Sequence, residues 1–115
     1  MASDCVFCKI ASGEIPGDFV YRDDEVFVIR DTAPKAPVHL LVIPSKHFEA
    51  LTNLTPEDHA MAAAMLQAAQ RAAQSEGIAE GGYRLVVNQG KNGRQDVPHL
   101  HMHVLGGKLL GAIIG

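Results

Sequence analysis

The sequence of 115 residues has no tryptophan and only two cysteines, Cys5 and Cys8, too few for a secreted scaffold held by disulfides. It has no apolar run of about 18 residues, the length that a membrane-spanning helix needs. Its first residues lack the basic segment and apolar stretch of a signal peptide. The formal net charge of −3 disfavours a broadly basic surface. These absences predict a cytoplasmic protein with neither a nucleic acid nor a membrane as partner.

The composition and local patterns predict one α+β domain over residues 1–115. Hydrophobic residues make up 47% of the chain, enough for one core. A short helix is predicted at 5–12, ended by Gly13. A longer one is predicted from Thr55 as N-cap, with Pro56 at the first position, to about Glu76, with Gly77 as its C-terminal cap. Strands are predicted at 19–22, 25–30, 38–43, 83–88 and 99–105.

Three histidines alternate with apolar residues in His99-Leu100-His101-Met102-His103. In a strand, successive side chains point to opposite faces, so the three imidazoles would share one face. An imidazole exchanges protons near pH 7 and can act as a nucleophile. At about 3.3 Å per residue, His99 and His103 lie roughly 13 Å apart, too far to bind one metal ion together. The face therefore has at least two separate tasks.

Residues 99–105 fit the pattern His-φ-His-φ-His-φ-φ, with φ hydrophobic, and the chain resembles the histidine triad (HIT) family of nucleotide hydrolases and transferases. The resemblance covers nearly the whole chain and includes segments 5–10, 31–39 and 86–90. The ending Leu105-Gly106-Gly107 resembles the Hint branch, the nucleoside phosphoramidases. The resemblance implies a HIT-like fold: an about five-stranded, mainly antiparallel sheet with one long and one short helix, paired as a homodimer. The implied activity is hydrolysis of purine nucleoside 5′-phosphoramidates, such as conjugates of AMP with amines, without an organic cofactor.

The Cys5-x-x-Cys8 spacing indicates a metal site or a redox pair in a chain without a secretion signal. No βαβ context surrounds it, which disfavours a thioredoxin-like role. Relatives of the bacterial type with this motif bind zinc through four positions that match Cys5, Cys8, His47 and His99. The resemblance therefore implies a structural Zn²⁺ that ties the N-terminal segment to the triad. A reduced, empty thiol pair is the alternative.

By the same resemblance, His101 is the nucleophile and forms a covalent nucleotidyl-histidine intermediate. A backbone carbonyl of the triad strand would hold the proton on its Nδ1, leaving Nε2 free to attack. His103 would bond the α-phosphate and assist proton transfer to the leaving group. His39, from the neighbouring predicted strand, would orient or polarise the triad. Because His39 lies in an apolar run, a histidine of the core is the alternative.

The resemblance also implies a nucleotide site. Asp31 matches the acid that binds the ribose hydroxyls, and its paired oxygens suit a vicinal diol. Asn88 offers an amide, and a loop offers backbone N–H groups suited to an anion. The matching loop positions are Gly93, Arg94, Gln95 and Asp96, although an ordinary hairpin loop fits the local sequence as well. The residues that match the base pocket are Val6, Phe7, Ile10, Ile29, Thr32 and Leu41. Without the resemblance, the apolar ones would be assigned to the hydrophobic core.

Three features depart from the family pattern. Asp96 stands where eukaryotic relatives have serine, and an acid there would repel phosphate or favour a cationic amine leaving group. Arg94 stands where glycine is common. The tail at 108–115 lacks the Trp-Pro-Pro ending of many relatives, so the acceptor remains open.

Three other functions stay open at this point. A dinucleoside polyphosphate hydrolase is disfavoured by Gly106-Gly107. A nucleotide-binding regulatory module with incidental turnover would not need the chemistry of His101. A metal-dependent hydrolase would use His101 and His103 as ligands and would lose its rate with a chelator.

Overall fold

The structure, a computed structural model, describes residues 4–113 and forms a five-stranded sheet with two α-helices. The elements are α1 (Val6–Ser12), β1 (Phe19–Arg22), β2 (Val26–Arg30), β3 (Val38–Pro44), α2 (His59–Ser75), β4 (Tyr83–Val86) and β5 (Met102–Gly106). The strand order is β1-β2-β3-β5-β4, and every neighbouring pair is antiparallel. This is the predicted α+β architecture. Within 4–113, no helix has both the length and the apolar character needed to cross a bilayer.

The alternation of side chains along the strands creates two apolar layers. One face of the sheet packs against α2, through Val26 and Val28 of β2 and Leu40 and Val42 of β3. The opposite face packs against α1 and uses the intervening residues Phe27, Ile29, Leu41 and Ile43 with Phe7 and Ile10. Because Leu100, Met102 and Val104 belong to the first layer, the triad histidines face the α1 side. The predicted division of the triad segment into two faces is therefore confirmed.

Strand β5 begins at Met102, three residues later than predicted. The amide of His99 donates to the Val97 carbonyl at 2.8 Å, and the amide of Leu100 donates to the Phe48 carbonyl at 2.7 Å. These amides are therefore not available for a ladder with β3, whose pairing with β5 ends at Val42 and Met102. Consequently β4, which pairs with β5 up to Val86, is shorter than the predicted 83–88.

Both helices end close to the predicted positions. Gly13 has φ 86° and its amide donates to the Ile10 carbonyl at 3.1 Å, while Gly77 has φ 76° after α2. Both glycines adopt the left-handed conformation that a residue with a Cβ rarely takes. The start of the second helix differs, because residues 56–58 form a 3-10 turn and α2 begins at His59. Thr55 does not act as a side-chain cap there; its amide instead donates to the Asp58 carboxylate at 2.9 Å.

Candidate active site and candidate metal centre

The His101 imidazole is fixed by its own backbone and by α1. Its Nδ1 lies 2.8 Å from the carbonyl oxygen of His99, so this nitrogen carries a proton and donates it. The Phe7 ring packs edge-on against His101, with ring centroids 5.2 Å apart, and the imidazole is only 4% exposed. In the tautomer that this bond selects, the lone pair lies on Nε2, on the open side of the site. A nucleophile needs this tautomer.

A second hydrogen-bond chain runs through His39 and His103. The Lys35 amide donates to His39 Nδ1 at 3.0 Å, which places the proton of neutral His39 on Nε2. His39 Nε2 lies 2.8 Å from His103 Nδ1 and donates to it, so the remaining proton of neutral His103 sits on Nε2. Burial lowers the pKa of His39 and of His103, which favours these neutral forms. The chain gives His103 an Nε2–H donor beside His101, whose ring centroid is 5.1 Å away.

The two imidazoles open into a cavity of about 260 Å³ between α1 and the sheet. All six predicted base-pocket residues line it: Val6, Phe7, Ile10, Ile29, Thr32 and Leu41. Asp31 lies at its edge, and an Asp31 oxygen is 3.5 Å from His39 Nε2. An adjoining cavity of about 320 Å³ is lined by Asn88, His39 and His103 among others. The structure thus brings the apolar slot, an acid suited to a diol and the histidines together.

The predicted phosphate loop contributes unevenly to these two cavities. Asp96 lines both, and its carboxylate lies 3.4 Å from His101 Nε2. Gly93, Arg94 and Gln95 are absent from the linings of both cavities. Arg94 has φ 59°, a left-handed conformation that favours glycine. Gln95 folds back onto the loop, donating to the Glu49 carbonyl at 2.6 Å and accepting from the Gly90 amide at 3.0 Å.

On the other side of Phe7, the four predicted metal ligands converge. Cys5 Sγ lies 3.1 Å from His99 Nδ1, and Cys8 Sγ lies 3.3 Å from His47 Nδ1. Cys8 Sγ and His99 Nδ1 are 3.5 Å apart, and the two Nδ1 atoms are 3.1 Å apart. A tetrahedral zinc with ordinary bond lengths has ligand–ligand distances of about 3.3–3.8 Å. The cluster is therefore close to the size of a zinc site.

The protonation of the cluster also fits a cation. The Nε2 of the fully buried His99 donates to the Pro44 carbonyl at 2.8 Å, which leaves Nδ1 as a lone pair aimed at the two sulfurs. Burial lowers the pKa of His99, so the ring stays neutral. Burial, followed by the neighbouring Cys5, raises the pKa of the Cys8 thiol to about 11. A divalent cation would reverse this last effect, because it stabilises both thiolates.

A third group of possible ligands, Asp31, His39 and His103, does not have these properties. His39 Nε2 carries a proton that it donates to His103, since its Nδ1 is occupied by the Lys35 amide. A protonated nitrogen cannot ligate a metal. This arrangement disfavours a metal ion held by Asp31, His39 and His103; the alternative with His101 and His103 as ligands is left to the chelator test.

The sequence did not single out several groups that shape the site. The Lys35 amide and the Pro44 carbonyl act through the backbone, which gives no residue-type signal. Arg30 and Val97 line the apolar slot of about 260 Å³. Arg30 follows Ile29 at the end of a predicted strand, and this position could have indicated it. Its guanidinium is held by Glu76 of the turn after α2 at 3.0 Å.

Comparison with known proteins gives relatives over almost the entire chain. A family model described as the HIT domain matches residues 12–109. The purine nucleoside phosphoramidase of Escherichia coli (strain K12) is 43% identical over 114 residues, which cover 99% of this chain and 96% of that protein.

Solved structures agree. A HIT family hydrolase from Legionella pneumophila Philadelphia 1 has a TM-score of 0.93 and 44% identity, covering 96% of this chain and 99% of that one. A zinc-bound histidine triad family protein from Mycobacterium smegmatis has a TM-score of 0.79 and 36% identity, covering 94% of this chain and 78% of that one. With its triad, its sheet and these relatives, the chain belongs to the HIT domain family.

Proposed function

We propose that the protein hydrolyses purine nucleoside 5′-phosphoramidates, such as AMP joined to an amine, through a nucleotidyl-His101 intermediate. The observation that carries this proposal is the 2.8 Å hydrogen bond from His101 Nδ1 to the His99 carbonyl. It selects the tautomer whose Nε2 lone pair faces a cavity suited to a nucleoside monophosphate. The phosphoramidase from Escherichia coli supports the class of substrate, because it is related over 99% of this chain.

The reaction proceeds in two displacements at phosphorus. The lone pair of His101 Nε2 forms a bond to phosphorus while the bond between phosphorus and the amine nitrogen breaks. The amine leaves with a proton from His103 Nε2, and the nucleotide stays on His101. Water then attacks the phosphorus and gives a proton back to His103 Nε2, while the bond between phosphorus and His101 Nε2 breaks. The nucleoside monophosphate departs, and both histidines return to their starting protonation. Splitting one hard step into two is the advantage of covalent catalysis.

His39 acts through His103. Because its Nε2–H donates to His103 Nδ1 at 2.8 Å, the acid proton of neutral His103 lies on the nitrogen that can reach the leaving group. A phosphoramidate nitrogen is a poor leaving group unless it is protonated, so a placed donor lowers the barrier. Burial lowers the pKa of His103, which favours the neutral tautomer with its proton on Nε2.

The nucleoside would lie in the slot beneath α1. Its base would pack between the apolar side chains of α1 and those of the sheet, and its ribose hydroxyls would donate to Asp31. One Asp31 oxygen already accepts from the Ala33 amide at 2.8 Å, which fixes the direction of the carboxylate. Asn88 borders the adjoining cavity, where the phosphoryl oxygens would find an amide.

A structural Zn²⁺ would be held by Cys5, Cys8, His47 and His99. Zinc would supply a crosslink between α1, the segment after β3 and the residue whose carbonyl orients His101. The Zn-bound relative from Mycobacterium smegmatis supports the choice of metal. The chain's own residues perform all the steps at phosphorus.

We also infer a homodimer from the family resemblance. Strand β4 lies at an edge of the sheet and exposes Tyr83 (36%) and Leu85 (37%), so its ladder and its side chains are available to a second copy. Sedimentation equilibrium tests this, with a monomer at micromolar concentration as the result that contradicts it.

The proposed reaction is tested by hydrolysis of adenosine 5′-phosphoramidate. We expect wild type to turn over and His101→Ala to lose at least about 10³-fold in kcat/KM. His59→Ala is the matched control, because this exposed histidine begins α2 on the opposite layer. No turnover by wild type would refute the proposed reaction. Equal turnover by wild type and His101→Ala would refute the nucleophile.

A further inference from the structure

Asp96 places a negative charge at the atom that has to attack phosphorus. Its carboxylate oxygen is 3.4 Å from His101 Nε2, although its side chain is 74% exposed. The same residue lines the nucleoside cavity and both cavities beside it, of about 320 and 460 Å³. A phosphoryl group that approaches Nε2 from any of these cavities therefore meets this carboxylate.

The position of Asp96 is imposed by its neighbour. The Gln95 side chain donates to the carbonyls of Glu49 at 2.6 Å and Val97 at 3.1 Å, and it accepts from the Gly90 amide at 3.0 Å. The Gln95 amide also donates to the Gly90 carbonyl at 3.0 Å. These bonds fix the backbone on both sides of Asp96, while the exposed carboxylate can rotate about its own bonds.

The cations along these cavities have other partners. Among the described residues that line the three cavities, the basic ones are Arg30 and Lys35. Arg30 is paired with Glu76 and Asp18, and the Lys35 ammonium donates to the Ala33 carbonyl at 3.2 Å. The other acids that line them are Asp31 at the nucleoside end and Asp4 and Glu49 along the cavity of about 460 Å³. Beside His101 Nε2 itself, the charge that an entering phosphoryl group meets is set mainly by Asp96, whose oxygen lies 3.4 Å away.

We infer that Asp96 acts as a charge filter: it is a specificity-determining residue that weakens the binding of a nucleotide in proportion to the negative charge around the reacting phosphorus. A phosphoramidate monoester carries one such charge. AMP carries close to two above its second pKa of about 6, and nucleoside polyphosphates carry more. The filter would thus favour amidates with neutral or cationic leaving groups over the nucleotide product and over anhydrides. This inference rests on the proposed function and names the substrate class within it.

The size of the effect follows from the exposure of the carboxylate. Two unit charges about 5 Å apart in a water-like dielectric change an affinity by about 4-fold, and by more where the dielectric is lower. Asparagine has nearly the same shape without the charge. We therefore expect Asp96→Asn to strengthen binding by about 4-fold for each negative charge on the ligand.

The test compares three ligands by calorimetry at pH 8: adenosine, adenosine 5′-O-methylphosphate with one charge, and AMP with two. In Asp96→Asn, we expect no change for adenosine, about 4-fold tighter binding of the methyl ester and roughly 16-fold tighter binding of AMP. Asp96→Glu keeps the charge and should retain the wild-type preference. Asp24→Asn is the matched control for net charge, because Asp24 is exposed in the β1–β2 turn.

The outcomes separate the two proposals. An unchanged ratio of AMP to methyl ester affinity in folded Asp96→Asn overturns the charge filter and leaves the proposed function standing. The same ratio change in Asp24→Asn also overturns it, because the effect would then come from net charge. If none of the three ligands binds wild type, the proposed function fails and the filter fails with it.

Discussion

Removal of zinc is expected to loosen the part of the molecule that orients the nucleophile. His99 has two roles in this account: its Nδ1 faces the two thiols, and its carbonyl accepts the proton of His101 Nδ1 at 2.8 Å. Loss of the metal would leave two half-buried thiols and two imidazoles without a common partner. His47→Ala removes one ligand while leaving the fully buried His99 in place.

The magnitude follows from mass action. A ligand present at 100 times its dissociation constant stabilises the folded state by about 2.7 kcal/mol. For a chain of this length, 1 kcal/mol corresponds to a change of roughly 3–6 °C in Tm. Excess zinc should therefore raise the Tm of metal-free wild type by roughly 10 °C or more. The shift in His47→Ala should be much smaller.

The assay is thermal unfolding of chelator-treated protein with and without added Zn²⁺, for wild type, His47→Ala and His59→Ala. His59 is the matched control, since it is an exposed histidine outside the cluster. An equal zinc shift in wild type and His47→Ala, or no shift in wild type, would refute the four-ligand site. Turnover measured well below the apo Tm should persist in part, because no step at phosphorus uses the metal.

Three further results are expected. Burial lowers the folded-state pKa of His39 and His103 below the ordinary value of 6.5. The unfolded chain therefore binds more protons in acid, and the stability of the fold should decrease as the pH drops below about 6.5. Urea unfolding midpoints at pH 7.5 and 5.5 check this, and a higher midpoint at pH 5.5 would contradict it. Gly93→Ala should raise KM, because its Cβ would lie 2.6 Å from the Gln89 carbonyl oxygen and the loop would have to move; Gly81→Ala, with open space around it, is the control in the same steady-state assay. Leu100→Ala should lower the free energy of unfolding by about 2–5 kcal/mol, because the Leu100 side chain is 2% exposed. Leu66→Ala should lower it far less, because Leu66 is 57% exposed. Equal losses for the two variants in urea unfolding would refute the assignment of Leu100 to the core.

Periodicity predicted the elements of the fold because each face of the sheet has its own apolar layer. The alternation at Leu100, Met102 and Val104 is a local pattern that any strand of this kind shows. The start of β5 was predicted less well, since it depends on a backbone partner of Leu100, the Phe48 carbonyl, that lies far away in the chain. The predicted start of the second helix also differs, because residues 56–58 form a 3-10 turn, in which the Asp58 carboxylate accepts from the Thr55 amide, and α2 begins only at His59.

The site divides in the same way. Residue type and spacing pointed to Cys5, Cys8 and the histidines, and the structure brings those groups together. The sequence could not show which ring nitrogen of each histidine carries the proton, because backbone groups decide this: the carbonyls of His99 and Pro44 and the amide of Lys35. Nor could it show that Gln95 bonds its own loop while Asp96 reaches His101.

The central claim is that His101 carries the nucleotide, and trapping that intermediate tests it most directly. Wild type mixed with adenosine 5′-phosphoramidate, denatured within the first turnover at alkaline pH and digested, should yield a peptide bearing an adenylyl group on His101. The adduct should be absent from His101→Ala. An adduct on another residue, or full turnover by His101→Ala, would contradict the account.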